Sequence, residues 1–151
     1  HEDFQPVVWI GRRSVDCARH PRPEKVWPVR VAAGAFGDAL PVRDLWLSPD
    51  HAVYVDGVLV PVKHLVNGRS IAQVEVDRVD YFHVELRQHD VLLAEGLPAE
   101  SYLDVGDRPS FSNAGPVVAL FPSFGDIWET AGCAPLVVRG AVLEGVRRRV
   151  A

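Results

Sequence analysis

Short apolar runs separated by turn residues dominate the pattern of residues 1–104. Val29–Ala32, Leu45–Leu47 and Val91–Ala94 are three such runs, and each is followed two residues later by Gly or Pro. Short runs of this kind, bounded by Gly, Pro and Asp, are typical of β-strands. The pattern therefore predicts an all-β domain.

Two stretches predict more about individual strands. Asp56-Gly57 separates the apolar runs Ala52–Val55 and Val58–Val62. Asp-Gly at such a position favours a two-residue hairpin, because both central residues of a type I′ turn need positive φ. Val79–Leu86 alternates with a period of two, which indicates a longer strand with two different faces and places His83 on one of them.

The composition changes after Asp104. Residues 105–137 are rich in Gly, Pro, Ser and Asn and predict an extended wrap or loop. Val142, Val146 and Val150 then recur at the spacing of one helix face, and Arg147–Arg149 suit the negative end of a helix dipole. We therefore expect a β domain over residues 1–104 and a C-terminal extension over 105–151 that packs on it, with a short helix within 138–150.

Composition and charge narrow the classes of partner. The net charge of -4 gives no general attraction to nucleic acid or to an anionic membrane. No apolar run approaches the roughly 20 residues that a spanning helix needs. Cys17 and Cys133 are too few for a disulfide framework, so cysteine usage does not indicate the cellular compartment of the protein. We expect a monomer with neither nucleic acid nor membrane as partner.

Ser48 and His51 are the first candidates for chemistry, in the run Leu47-Ser48-Pro49-Asp50-His51-Ala52-Val53. A hydroxyl and an imidazole at this spacing can converge on one peptide bond, with one contacting the amide and the other protonating its nitrogen. An amide nitrogen leaves poorly until it is protonated, and a His pKa near ambient pH suits that task. The same tetrapeptide also fits a type I turn in which backbone groups satisfy His51.

The second candidate stretch is Tyr81–Leu97, which contains His83, His89 and Asp90. His89-Asp90 is also compatible with an exposed hairpin corner, and His83 with a solvent-facing position on its strand. His20 and His64 lie in stretches that contain Pro and Arg and are interpreted as surface residues.

Taken in order, these stretches resemble the Hint domains of hedgehog proteins and inteins. Leu47–Val53 is similar to their Thr-x-x-His motif, with Ser48 in place of Thr. Tyr81–Leu97 is similar to their late strand pair: His89 matches the motif His, and His83 falls where inteins often have Asp. The neighbouring runs look like a bacterial Hint subfamily, and they are Val8–Arg13, Pro61–Gly68 and Gly96–Asp104.

The resemblance implies a horseshoe-like all-β Hint fold and an autocatalytic activity. That activity is an N–S acyl shift at an N-terminal junction, followed by cleavage or transfer. The implied partner is the protein's own N-terminal flanking polypeptide in cis, with no cofactor and no metal. The implied catalytic residues are Ser48, His51, His83, His89 and Asp90.

Two departures from the family pattern modify these expectations. Hint domains begin with a Cys in strands upstream of the run that corresponds to Trp9–Arg13, and Cys17 lies after that run. We therefore expect an N-terminally truncated domain whose early strands lack partners and which does not cleave itself. Glu100-Ser101 stands where splicing inteins have His-Asn, and this pair cannot repeat the Asn cyclisation, so we do not expect full splicing.

Two other classes of function remain open. A metal-dependent hydrolase could use His51 and His89 with His64 or Asp50, although the sequence has no His-Glu-x-x-His and no paired Cys-x-x-Cys. A β-rich structural or binding domain could keep the Hint scaffold without its chemistry. The metal content of the purified protein separates the first of these from self-processing.

Overall fold

The computed structural model describes residues 6–101 and 133–150 of the chain. Within these residues lie nine strands and one α-helix, together with short 3-10 turns at Cys17–Arg19, Pro23–Lys25 and Val62–Leu65. The strands are β1 (Val7–Asp16), β2 (Val29–Val31), β3 (Leu45–Leu47), β4 (Ala52–Val55), β5 (Val58–Pro61), β6 (Ile71–Gln73), β7 (Arg78–Leu86), β8 (Val91–Ala94) and β9 (Leu97–Glu100), and the helix is α1 (Ala141–Arg149). The predicted all-β fold with a short C-terminal helix is confirmed. Most of the predicted wrap, and the boundary between residues 104 and 105, lie outside the described residues.

The strands form three antiparallel sheets, with orders β5-β4-β9-β8, β3-β2-β6 and β1-β7. The prediction that early strands lack partners is wrong for the two earliest. β1 pairs with β7 from Val7↔Leu86 to Asp16↔Arg78, and β2 is hydrogen-bonded on both sides. The partner of β1 comes from a strand more than 60 positions later in the chain, which a local pattern cannot reveal.

Two hairpins turn through residues with positive φ. Asp56 and Gly57 have φ of 53° and 80°, which confirms the predicted hairpin between β4 and β5. Glu95 and Gly96 repeat this geometry between β8 and β9, with φ of 50° and 82°. A Cβ at Gly96 would also lie 2.9 Å from Leu40 Cδ2, so a side chain there is excluded by space as well as by backbone conformation.

One hydrophobic core joins the two larger sheets and the helix, which we call the main body (β2–β6, β8, β9 and α1). Leu143 and Val146 bring one face of α1 into this core. The chain before the helix also joins it, because Pro135 and Val137 exchange backbone hydrogen bonds with Leu59 of β5. Fully buried members of the core include Val29, Val31, Val53, Val60, Val62 and Ile71.

The third sheet is a separate two-stranded unit, which we call the ribbon (β1 and β7). Its inner face packs on a smaller cluster that includes Cys17 and Tyr81. Its outer face exposes Ile10 and Phe82. In the part of the chain that the structure describes, no helix is long and apolar enough to cross a membrane.

Candidate functional site

Four elements bring three histidines and a glutamate together. His51 directly precedes β4, His83 lies in β7, His89 lies in the turn before β8, and Glu100 ends β9. The pairing explains the convergence: β8–β9 places Val91 opposite Glu100, and β9 also pairs with β4. The start of β4, the start of β8 and the end of β9 therefore lie together at one end of the four-stranded sheet.

His51 is held by its backbone and by one ring nitrogen. Its N–H donates to Ser48 O at 3.1 Å, which closes the turn, and its Nε2 lies 3.1 Å from Glu100 O. A carbonyl oxygen only accepts, so Nε2 carries the proton and Nδ1 is left with its lone pair. Burial lowers the pKa of His51, which is therefore neutral at neutral pH. The turn at Ser48–His51 and a chemical role for His51 are thus compatible.

His83 reaches the same place from the ribbon. Its ring stacks on that of His51 with centroids 5.1 Å apart and an interplanar angle of 24°. Burial, followed by the proximity of His51 and Arg13, lowers the pKa of His83 to about 3. His83 is therefore a neutral, half-buried stacking partner rather than a solvent-facing residue.

His89 is hydrogen-bonded at both ring nitrogens. Its Nε2 lies 3.0 Å from Glu100 Oε2, and its Nδ1 accepts the backbone N–H of Cys133 at 2.9 Å. The side chain is fully buried, so the alternative of an exposed hairpin corner does not hold.

Ser48 and Asp90 flank these rings. The Ser48 side chain is half-buried, and its hydroxyl makes no hydrogen bond within residues 6–101 and 133–150. Asp90 fixes the base of the β8–β9 hairpin: its backbone O accepts from Ser101 N at 2.7 Å, and its N–H donates to Ser101 Oγ at 2.9 Å. Catalytic roles for all five predicted residues stay predictions.

Two residues at the site were not among the sequence-predicted ones. Glu100 was interpreted only as a departure from His-Asn, although a two-residue turn at Glu95-Gly96 implies the register that sets residue 100 opposite 91. Cys133 entered the sequence analysis only as one of two cysteines too few for a disulfide framework. It contacts His89 from 44 positions away, and no local pattern signals such a contact.

His51 and His89 of the metal-hydrolase alternative lie together at the site, but among the described residues they form no metal-binding group with His64 or Asp50. No group of three or more His, Cys, Asp or Glu side chains that could hold a metal ion occurs in the described part of the chain. Asp50 instead pairs with Lys63 Nζ at 2.5 Å. His64 is half-buried in the 3-10 turn after β5, and burial lowers its pKa.

A family model described as Hint domain matches residues 1–106 of the 151. The chain belongs to the Hint domain family. No curated protein and no solved structure matches its sequence. The matched residues of this Hint domain include every strand that the structure describes, together with His51, His83, His89 and Glu100. They end before Cys133 and α1, although both contact the matched part directly.

Proposed function

We propose that this Hint domain processes its own polypeptide through an N–S acyl shift at an N-terminal junction, followed by cleavage or transfer. The observation that supports it best is the state of His51. This imidazole follows Ser48 at the family spacing, is neutral, and has Nδ1 without a hydrogen-bond partner in the described residues. A neutral imidazole can take a proton from a thiol, which an imidazolium cannot do.

The proposed steps move one proton through His51. The thiol of a junction Cys gives its proton to His51 Nδ1, and the sulfur attacks the preceding carbonyl carbon. The carbon–nitrogen bond breaks as the imidazolium returns that proton to the leaving nitrogen, which gives a thioester and a free amine. Water or another nucleophile then attacks the thioester and releases the thiol. The Ser48 hydroxyl contacts the scissile amide.

Neither cysteine of the chain is a good candidate for the junction nucleophile. Cys17 is buried in the ribbon's inner cluster, and burial raises its pKa. Desolvation, and then the Asp90 and Glu100 carboxylates, raise the pKa of the Cys133 thiol. A raised pKa leaves little thiolate at neutral pH. Residues 1–151 by themselves are therefore proposed not to cleave, and the substrate is a flanking polypeptide in cis.

The test is a fusion in which a Cys-bearing Hint N-terminal segment and a short leader precede residue 1. Mass spectrometry over hours, with and without dithiothreitol, should show thiol-dependent release of the leader. His51→Ala should slow this release by about 10²–10⁴-fold, the usual contribution of a positioned acid–base group. His64→Ala is the matched control, because His64 contacts Arg147 through its backbone O, which the substitution keeps.

Three outcomes decide against the proposal. Cleavage by residues 1–151 alone would contradict it, as would a release rate that His51→Ala leaves unchanged. A folded fusion that never releases its leader would favour a scaffold without chemistry. Release on the C-terminal side should also be absent, because Glu100-Ser101 has no amide side chain that could cyclise.

A further inference from the structure

Glu100 binds both site histidines of the main body at once. Its backbone O accepts from His51 Nε2, its Oε2 accepts from His89 Nε2, and its Oε1 accepts the N–H of Ala52 at 2.9 Å. The side chain is only 12% exposed, so its carboxylate has exchanged most of its hydration for these donors. One residue thus supplies an acceptor to each of two imidazoles.

We propose that Glu100 is a positioning residue that sets where the protons lie on His51 and His89. Its carbonyl keeps His51 in the Nε2–H tautomer, and its carboxylate keeps His89 in the Nε2–H tautomer. The inference rests on the proposed function and assigns a different role to each of the two histidines. Nδ1 of His51 exchanges the proton with the junction, whereas His89, bound at both nitrogens, holds Glu100 in place and transfers no proton.

An independent contact requires the same tautomer of His89. The amide of Cys133 can only donate, so His89 Nδ1 must be unprotonated to receive it at 2.9 Å. A proton on Nδ1, in the other tautomer or in the cation, would lose this hydrogen bond and leave two donors facing each other, one of them on the buried His89 ring. The hydrogen bonds at Nε2 and at Nδ1 therefore require the same tautomer of His89, with the proton on Nε2.

Glu100→Gln tests the assignment with almost no change in volume. If the side-chain oxygen of the introduced Gln faces Ala52, its NH₂ group faces the Nε2–H of His89, and two donors meet. If the side-chain amide is turned round, its NH₂ group meets the backbone N–H of Ala52 instead. The conflict with His89 is relieved when the ring moves its proton to Nδ1, which then opposes the N–H of Cys133. Each arrangement leaves one unsatisfied buried donor.

The experiment records long-range ¹H–¹⁵N correlations of the imidazoles in ¹⁵N-labelled full chain near neutral pH, with single His→Gln variants for assignment. We expect the Nε2–H pattern for His51 and His89 in the wild type. In Glu100→Gln we expect either a changed His89 pattern or a shifted Ala52 amide resonance, according to which way the amide is turned. Glu95→Gln is the matched control, since Glu95 lies on the same hairpin but pairs with Arg43 at 2.9 Å; its spectrum should be unchanged. Cys133→Ala should also leave His89 unchanged, because it keeps the amide.

The spectra need no self-cleavage, so they separate this inference from the proposed function. A wild-type His89 that carries its proton on Nδ1 or on both nitrogens would overturn it, and so would a Glu100→Gln variant in which both the His89 ring and the Ala52 amide are unaltered. If Glu100→Gln does not fold, the wild-type spectrum and that of Glu100→Asp still decide the tautomers. Glu100→Asp keeps the charge but shortens the reach to His89, so we expect a weakened His89 contact.

In the cleaving fusion, Glu100→Gln should slow leader release by about 10- to 100-fold, the loss typical when an outer partner that orients an imidazole is removed. Glu95→Gln should cleave at the wild-type rate. A normal rate in Glu100→Gln together with an altered His89 would refute the link to processing. A fusion that fails to cleave in every variant refutes the proposed function, while the wild-type spectra still test the proton arrangement.

Discussion

The main body and the ribbon contain similar β-forming residues but bury them very differently. Ile71 in the main body is 0% exposed, whereas Ile10 in the ribbon is 49% exposed. The site uses both regions unequally, because His51, His89 and Glu100 belong to the main body and only His83 comes from the ribbon. The proton positions that we infer are therefore set within the well-packed main body, and the ribbon contributes a ring that stacks on His51.

The ribbon depends on its inner face for stability. Two strands alone are marginal in water, and here Tyr81 provides the anchor through its hydroxyl, which donates to Val26 O. Burial also raises the pKa of Tyr81, so the phenol stays protonated and keeps donating throughout the neutral range.

The largest expected effect compares one substitution in the two regions. Ile71→Ala should lower the free energy of unfolding by about 2–5 kcal/mol, because it leaves a cavity in the shared core. Ile10→Ala should change it by less than about 1 kcal/mol, since half of that side chain is already in water. Urea denaturation followed by circular dichroism measures both. Equal losses would mean that the ribbon is as tightly packed as the main body.

The second comparison concerns the helix. Val146 of α1 is buried in the core and Val142 on the same helix is exposed. Val146→Ala should cost about 2 kcal/mol for the lost methyl groups and the remaining cavity. Val142→Ala should be neutral or slightly stabilising, because Ala has the higher helix propensity. If Val146→Ala were also neutral, α1 would not belong to the main body in solution.

The third prediction concerns the pH dependence of the free energy of unfolding, to which His51 of the main body and His83 of the ribbon contribute. Burial lowers the pKa of His51 and His83 in the folded state, the latter to about 3, while the unfolded value is near 6.5. Below about pH 6.5 the unfolded chain therefore binds more protons, and stability is complete above that pH and declines as the pH falls. Each His contributes a slope of up to about 1.4 kcal/mol per pH unit.

His83→Gln should flatten that decline between about pH 6.5 and 5, the range in which an unfolded imidazole takes up its proton. The measurement is the free energy of unfolding at several pH values, with pH 8 as the reference at which both imidazoles are neutral. An unchanged slope in His83→Gln would show that the ribbon ring is protonated in the folded protein.

The smallest effect is expected at the surface of the main body. Arg43 and Glu95 form an ion pair whose partners are 79% and 33% exposed. Glu95→Gln should therefore change stability by no more than about 1 kcal/mol, and raised salt should reduce even that difference. A larger loss would show that the pair supports the β8–β9 hairpin in a way that exposure does not indicate.

Local patterns predicted much of the main body. β3, β4 and β8 coincide with the predicted apolar runs, the Asp56-Gly57 hairpin is present, and α1 falls inside the predicted helical segment. β6 was not predicted, because Ile71-Ala72-Gln73 ends in a polar residue and does not form an apolar run like that of β3. The pairing of β1 with β7 was not predicted either, since it depends on tertiary structure.

The site shows the same division. The resemblance to Hint domains supplied the histidines, whereas the stacking of His51 on His83 joins two different sheets and has no local signal. The Cys133 amide contacts His89 from 44 positions away. Which ring nitrogen of His89 carries the proton follows only from that contact and from the contact with Glu100. Sequence named the rings but could not assign their protons.

The late position of Cys133 and α1 in the chain also imposes an order in time. A ribosome that has reached residue 101 has already made every imidazole of the site, but not the amide that binds His89, nor Leu143 and Val146 of the core. Domains fold as units during synthesis, so the geometry around His89 waits for residues 133–150 to be translated. The site is therefore complete only after residue 150 has been translated, and a nascent chain carries it unfinished until then.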